Sequence, residues 1–382
     1  MASHCNPFPP ASPKDVGLSE YQVTRLARIV RGYVDDGDIV GAKVLLVKDG
    51  RTVLHEAAGW KDREAGKPMA AGTLFNIRSM TKPIGGMVIQ MLIDDGVLGL
   101  HDPIGKHLPH FNNPRSGKIT IEHLLTHRSG FRQYRVPRMP LHSLGEIADH
   151  IGEVGPDYQR GIFHYSDIGA DFLGALIEAV TGASLSEVFH RRVFVPLGMA
   201  DTYTLDTATP AFLARTASAY ELRQGQWQRK WDPTMGPNLP YPMAPPFTPM
   251  SQGIFTSPAD YARFVSVWLN GGVFGGRRLI SEAAIGRALS TAPDAGEPGG
   301  FPGMTWRYGQ MWWLAGRPGQ TGMPFAFRHG GSDGTWAWGW PAHRMMALYF
   351  TQSRGEVMYS ELESALSDLF PEEEFGAGNP SS

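Results

Sequence analysis

The stretch FNIRSMTKPIGG, residues 75 to 86, sets Ser79 one helical turn ahead of Lys82 among mostly apolar and small neighbours. The chain has only nine lysines, so one placed beside a hydroxyl here asks for a reason. On a helix, positions i and i+3 share a face, which lets Lys82 reach the Oγ of Ser79. At a helix start the macrodipole disfavours a second positive charge, and burial pushes the amine further toward its neutral, basic form. A neutral amine takes a proton from a serine hydroxyl, and the Ser79 N–H, orphaned in a first turn, faces a developing oxyanion. The pattern is short, however: with 23 serines and nine lysines, chance supplies ~0.5 matches. By itself the match reads first as an ordinary helix start with a surface lysine.

Working outward, the sequence downstream of Ser79 is helical. ITIEHLLTHRSGF follows, then SDIGADFLGALIEAVTG with Ile168, Phe172, Leu176 and Val180 on one face. In SPADYARFVSVWLNGG, Pro258 opens a helix whose stripe is Tyr261, Phe264, Val265, Trp268 and Leu269. Toward the N-terminus, LSEYQVTRLARIVRGYVDDG reads as an amphipathic helix started by a Ser19–Gln22 capping box. AKVLLVKDGRTVLHEAAG is a hairpin around Asp49-Gly50. Near the C-terminus WRYGQMWWLAG, FAFRHGG, TWAWGW and RMMALYFTQS are strand-like, and ESALSDLF closes as a helix. The expectation is an α/β (α+β) fold: an antiparallel sheet flanked by helices, built from residues 1–75 and 300–382, with a large, mostly helical domain inserted at 76–299.

Composition narrows the function. With 35 basic and 37 acidic residues and no like-charge block longer than Glu372, Glu373 and Glu374, neither nucleic acid nor an acidic membrane is an expected partner. The single cysteine, Cys5, excludes an intramolecular disulfide, and a reducing compartment is the simplest fit. There is no basic-then-apolar leader and no apolar run near the roughly 18 residues of a spanning helix, so a soluble, cytoplasmic protein is expected.

Other motifs compete with Ser79. Gly330-Gly331-Ser332-Asp333-Gly334 matches G-x-S-x-G, the nucleophile elbow. An elbow needs a helix after its turn, but TWAWGWP alternates like a strand, and the only later histidine is His343. His123 and His127 are spaced i, i+4 without an H-E-x-x-H pattern or an evident third ligand, so no metal is expected. HYSDIGADFLG places Tyr165 just before a helix capped by Ser166 or Asp167, where a packed tyrosine is the commoner case. WDPTMGPNLPYPMAPPFTPM, residues 231 to 250, is too proline-rich for helix or strand and reads as a long ordered loop or a flexible linker, its aromatic and methionine content favouring an ordered pocket wall.

Taken together and in order, FNIRSMTKPIGG, LHDPIGKHLP, ITIEHLLTHRSGF, HYSDIGADFLGALIEAVTG, VFVPLGM, GIFTSPADYARFVSVWLNGG and FRHGGSDG resemble the serine β-lactamase-related family. That family includes class C β-lactamases, family VIII carboxylesterases, D-aminopeptidases and related transesterases, and the likeness, from about residue 16 to about 355, is nearest in type to the carboxylesterases. The resemblance implies Ser79 as nucleophile, Lys82 as its lysine and Tyr165, from Tyr165-Ser166-Asp167, as proton shuttle. It matches the third motif to His329-Gly330-Gly331, with the Ser332 N–H as second oxyanion donor, and it needs no metal or organic cofactor.

Two departures from the family pattern bear on substrate. Asp167 stands where many relatives have asparagine; a carboxylate near Lys82 favours the charged ammonium and shifts proton abstraction toward a phenolate-like Tyr165. His329 replaces a lysine, and no lysine occurs after Lys230, so the cation that suits an anionic β-lactam or peptide is missing unless Arg328 turns inward. The expected activity is hydrolysis of a small, short-chain carboxylic ester through an acyl-enzyme, with Phe131, Tyr134, Trp231, Tyr241 and Phe247 expected around the acyl and alcohol pockets. The rivals are a β-lactamase, a D-amino-acid peptidase or transesterase of the same fold, and a non-catalytic binder of cell-wall peptides.

Overall fold

A computed structural model of the chain describes residues 7–132, 142–235, 247–290, 297–298, 301–354 and 359–375. Cys5 lies outside these residues, as do Tyr134 and Tyr241.

The two chain ends meet in one sheet. Strand β1 (Gly41–Lys48) turns at Asp49 and Gly50, with φ of 52° and 70°, into β2 (Arg51–Asp62). Two consecutive positive φ values are what a two-residue hairpin turn requires, and Asp-Gly supplies them at low cost. β3 (Lys67–Pro68) follows; the C-terminal region adds β4 (Glu297–Pro298), β5 (Thr305–Tyr308), β6 (Trp313–Gly316), β7 (Ala326–Gly331), β8 (Thr335–Trp340) and β9 (Met345–Thr351). The spatial order is β4-β5-β6-β7-β8-β9-β1-β2-β3, with every neighbouring pair antiparallel. β1 and β9 join the halves in the register Leu45 to Leu348.

Both faces of the central strands are buried, so alternate residues of these strands enter different cores. Val44, Leu46, Trp338, Ala347 and Tyr349 pack with the helices from the two chain ends, α1 (Glu20–Asp35) and Tyr359–Ser367. Leu45, Val47, Phe327, Leu348 and Phe350 pack with the helical segment on the other side. The expected Ser19–Gln22 capping box does not form. Ser19 is the N-cap but makes no side-chain cap bond, and the Gln22 amide donates to the Asp368 carbonyl, tying the two chain ends together.

At the centre of the helical layer is α2 (Thr81–Asp94), buried at every position from Thr81 to Leu92. A helix apolar all round is a core helix, and it needs small residues where neighbours press close. A Cβ on Gly85 would stand 2.4 Å from Met250 Cε, and one on Gly86 would stand 3.0 Å from Met311 Cβ. That packing accounts for the glycines closing the FNIRSMTKPIGG stretch. α3 (Asp167–Thr181) and α4 (Pro258–Leu269) pack in the same layer, each started by a serine side chain, Ser166 or Ser257, that accepts a backbone N–H of the first turn. Among the described residues no single helix is long and apolar enough to cross a membrane.

Candidate active site

Ser79 sits in a braced turn. The short strand Phe75–Asn76 pairs with Ile254–Thr256, and Asn76 Oδ1 then accepts the Arg78 N–H at 3.0 Å. This local bond bends the chain so that Arg78 adopts φ 48°, in the left-handed region. Ser79 is the middle residue of the 3-10 turn Arg78–Met80, which leads into α2, and Tyr261 Oη of α4 donates to the Met80 carbonyl at 2.9 Å. The nucleophile candidate thus stands just before the helix rather than within it.

Lys82 is fully buried, which excludes the surface-lysine reading. Its Nζ donates to Ser79 Oγ at 3.0 Å, to Asp167 Oδ1 at 2.6 Å and to the Ser251 carbonyl at 3.1 Å, so all three ammonium protons are placed. Burial pushes the amine toward the neutral form, as the sequence suggested, but the Asp167 carboxylate and Tyr165 outweigh it and hold the pKa above the ordinary lysine value. The resting lysine is an ammonium.

Tyr165 precedes α3 with its ring against His127, 4.4 Å between centroids, and edge-on to Tyr308 at 5.9 Å. Lys82 Nζ lies 4.8 Å from the centre of the Tyr165 ring. Burial raises the phenol pKa, and the charge of Asp167 adds to that, while Lys82 and Ser79 pull it down without reversing the sign. The phenolate-like tyrosine expected from the sequence is therefore corrected. The resting side chain is a neutral phenol.

On β7, alternation turns Phe327, His329 and Gly331 toward the helical layer and Arg328 toward the terminal helices. His329 Nδ1 donates to the Gly330 carbonyl at 2.9 Å, leaving Nε2 to accept from Tyr308 Oη at 3.2 Å. Tyr308 Oη in turn accepts from His127 Nε2 at 3.1 Å, and His127 Nδ1 accepts the Ser166 N–H at 3.4 Å. These bonds assign both imidazoles as neutral. Burial, reinforced by the Lys82 charge, lowers His329 to about 3 and keeps His127 well below the ordinary histidine value. Arg328 pairs with Glu363 of the C-terminal helix and lies 4.0 Å from the Trp306 ring centre. It does not turn inward.

Ser332 occupies the turn between β7 and β8, closed by the Gly334 N–H donating to the Gly331 carbonyl at 2.9 Å. A strand follows this turn, and His343 pairs with Glu374, so the elbow reading has neither its helix nor its histidine. The turn packs against the Ser79 segment: a Cβ on Gly331 would meet the Ile77 carbonyl at 2.3 Å, and Thr335 Oγ1 donates to the same carbonyl at 3.3 Å. Gly330 faces the Trp336 ring on the opposite side of the strand. His123 bonds to Thr120, and among the described residues no cluster of three or more histidine, cysteine, aspartate or glutamate side chains is arranged for a metal.

Two of the aromatic residues expected in the pocket belong elsewhere. Phe131 is buried in the helical core, edge-on to Phe172 at 4.9 Å, and Trp231 is buried with Tyr203 and Phe255 in a third small core. Phe247 is partly buried against the helical core.

The family model described as Beta-lactamase matches residues 26–368. The chain belongs to the β-lactamase family. Esterase EstB of Burkholderia gladioli is 32% identical over 188 residues, covering 43% of this chain and 46% of the esterase. Among solved structures, "EstCE1, a hydrolase with promiscuous acyltransferase activity" superposes with a TM-score of 0.74 at 22% identity, covering 91% of this chain and 98% of that one. A class C β-lactamase superposes with a TM-score of 0.73 at 15% identity, covering 92% and 97%. The fold is that of the family, and the chain is a serine hydrolase of that fold.

Within that family frame, the site contains residues that the sequence reading passed over. Ser251 supplies a carbonyl to Lys82, and its own N–H and Oγ bond to Asp171 at 2.9 and 3.2 Å. Asp171 lies one turn along α3 from Asp167, a spacing that signals a shared face and was available in the sequence. Tyr308 carried no such signal, because its partners are 181 and 21 residues away.

Proposed function

We propose that this protein is a carboxylesterase that cleaves short-chain carboxylic esters through an acyl-enzyme on Ser79. The observation that carries the substrate class is the neutrality of the third motif. His329 is held as a neutral imidazole, and the neighbouring Arg328 is turned to the far side of the sheet. That strand therefore offers hydrogen-bonding backbone without a fixed cation, which suits an uncharged ester better than an anionic lactam or peptide terminus. The likeness to EstB points the same way.

In this reading Ser79 Oγ attacks the ester carbonyl while its proton passes to the Lys82–Tyr165 pair. Ammonium and phenol together hold one proton too many, so the reactive form arises after the pair has released one. The Ser79 and Ser332 N–H groups receive the developing oxyanion. Tyr165 protonates the departing alkoxide as its bond to the acyl carbon breaks, and the same pair then activates a water that releases the acid and restores Ser79.

Turnover of p-nitrophenyl butyrate beside nitrocefin, with wild type and Ser79→Ala at equal concentration, tests the reading. Rapid ester cleavage, slow nitrocefin cleavage and loss of both in the variant is the expected result. Efficient nitrocefin turnover means a lactamase or peptidase with a cation supplied from elsewhere, and ester turnover surviving in Ser79→Ala removes the assigned nucleophile.

A further inference from the structure

Two buried residues outside the expected machinery flank the two backbone donors. Arg78 immediately precedes Ser79, and Asp333 immediately follows Ser332. Their side chains, 1% and 3% exposed, form an ion pair with Arg78 Nε 2.5 Å from Asp333 Oδ2, across 255 residues of sequence. Arg354 Nη1 stands 3.8 Å from the other Asp333 oxygen, so the carboxylate is held from both sides.

From these contacts we infer that Arg78 and Asp333 are positioning residues that set the spacing between the Ser79 and Ser332 N–H groups, and through it the binding of the oxyanion. The inference rests on the hydrolase reading above.

Three observations support it. A buried ion pair is a poor stability device, because desolvating both charges offsets most of their attraction; what it delivers is a defined geometry. Arg78 adopts φ 48°, a conformation glycine takes without strain, so an arginine there must give something in return through its side chain. The pair also has a partner tie, Thr335 Oγ1 to the Ile77 carbonyl at 3.3 Å, joining the same two segments one residue before Arg78 and two after Asp333. A donor displaced by a fraction of an ångström still binds a ground-state carbonyl but loses much of its hold on the oxyanion.

The experiment starts with fluorophosphonate labelling of the wild-type chain, located by peptide mass. Absence of label on Ser79 removes the hydrolase reading and this inference with it. With Ser79 labelled, Asp333→Asn, Arg78→Met and Arg78→Lys are compared on p-nitrophenyl butyrate and by the inhibition constant of phenylboronic acid, which forms a tetrahedral adduct on the serine. For Asp333→Asn and Arg78→Met, kcat should fall about 10²-fold with KM changed less than about threefold, and boronate affinity should weaken with kcat. Arg78→Lys, which keeps the charge, should recover about tenfold of that loss. Unchanged kcat with only a lower melting temperature, or lost kcat with boronate affinity intact, overturns the inference while leaving the hydrolase reading in place. Should the charge variants fail to fold, Thr335→Val loosens the companion tie alone: a drop in kcat of about three- to tenfold at constant KM is expected, and no change overturns the inference.

Discussion

Asp167 Oδ1 lies 2.6 Å from Lys82 Nζ, and the two differ in setting: the lysine is fully buried while the carboxylate keeps 35% of its exposure. A half-wet anion thus fixes the charge of a dry cation that also touches Ser79 Oγ. The electrostatic state of the candidate base is set by a carboxylate at the position where the family resemblance implies a neutral amide.

Asp167→Asn tests that control through pH. The Asp167 charge raises the pKa of both Lys82 and Tyr165. Activity needs the pair to lose its first proton, so kcat/KM rises with pH through an apparent pKa that belongs to both residues. Removing the charge lowers that pKa, and the rising limb should move to lower pH by about one unit or more. The measurement is kcat/KM for p-nitrophenyl butyrate across neutral and alkaline pH; a limb that stays in place or moves up shows that Asp167 does not govern the pair.

Tyr165→Phe separates proton delivery from packing. The ring packs at a tilt against His127, so phenylalanine keeps the contact and removes only the hydroxyl. Loss of a general acid–base group lowers turnover about 10²- to 10⁴-fold, and most where the leaving group needs its proton. Ethyl butyrate should therefore suffer more than p-nitrophenyl butyrate, whose phenolate leaves unaided. Equal losses on both esters place Tyr165 in the attack step alone.

Arg328 is tested by its partner. Glu363 also accepts the Trp338 Nε1–H at 2.8 Å, so Glu363→Gln removes the carboxylate charge that pairs with the buried guanidinium. Breaking such a pair costs about 3–5 kcal/mol, which urea unfolding resolves. Turnover per folded molecule should stay within about twofold, because the pair lies across the sheet from Ser79. A large change in substrate preference instead shows Arg328 reaching the site.

What was legible in the sequence is what local rules control. Asp49-Gly50 specifies its turn through its own φ preferences, the Ser166 cap through its own first turn, and the Ser79–Lys82 contact through its three-residue spacing. The inward–outward split of His329 and Arg328 follows from the two-residue period of a strand, once β7 is known to be covered on both faces. Phe131 and Trp231 went astray because aromatic composition gives burial without saying in which core. The His127–Tyr308–His329 chain and the Arg78–Asp333 pair join residues whose nearness only the closed sheet creates. The charge states were half legible: burial and Asp167 are readable in the residues as opposing influences on Lys82, and only the 2.6 Å separation decides between them.

Asp171 supplies a stability prediction of definite sign. Burial raises its carboxyl from 3.8 to about 7, with the Asp167 charge adding to the rise and the Ser251 bonds opposing it. Between those values the unfolded chain has released the proton while the folded chain keeps it. Stability from this group is therefore fully present below about pH 4 and lost as pH rises toward 7, by about 4 kcal/mol at most, with no further loss above. Asp171→Asn can keep the acceptor for the Ser251 N–H and abolishes the titration. Its stability relative to wild type, from urea unfolding at several pH values, should climb between pH 4 and 7 and level off beyond. Parallel curves would place the Asp171 carboxyl at an ordinary pKa. They would also imply that a second anion stands beside Asp167 at neutral pH, which would hold Lys82 still more firmly as the ammonium and place the rising limb of both the wild type and Asp167→Asn at higher pH.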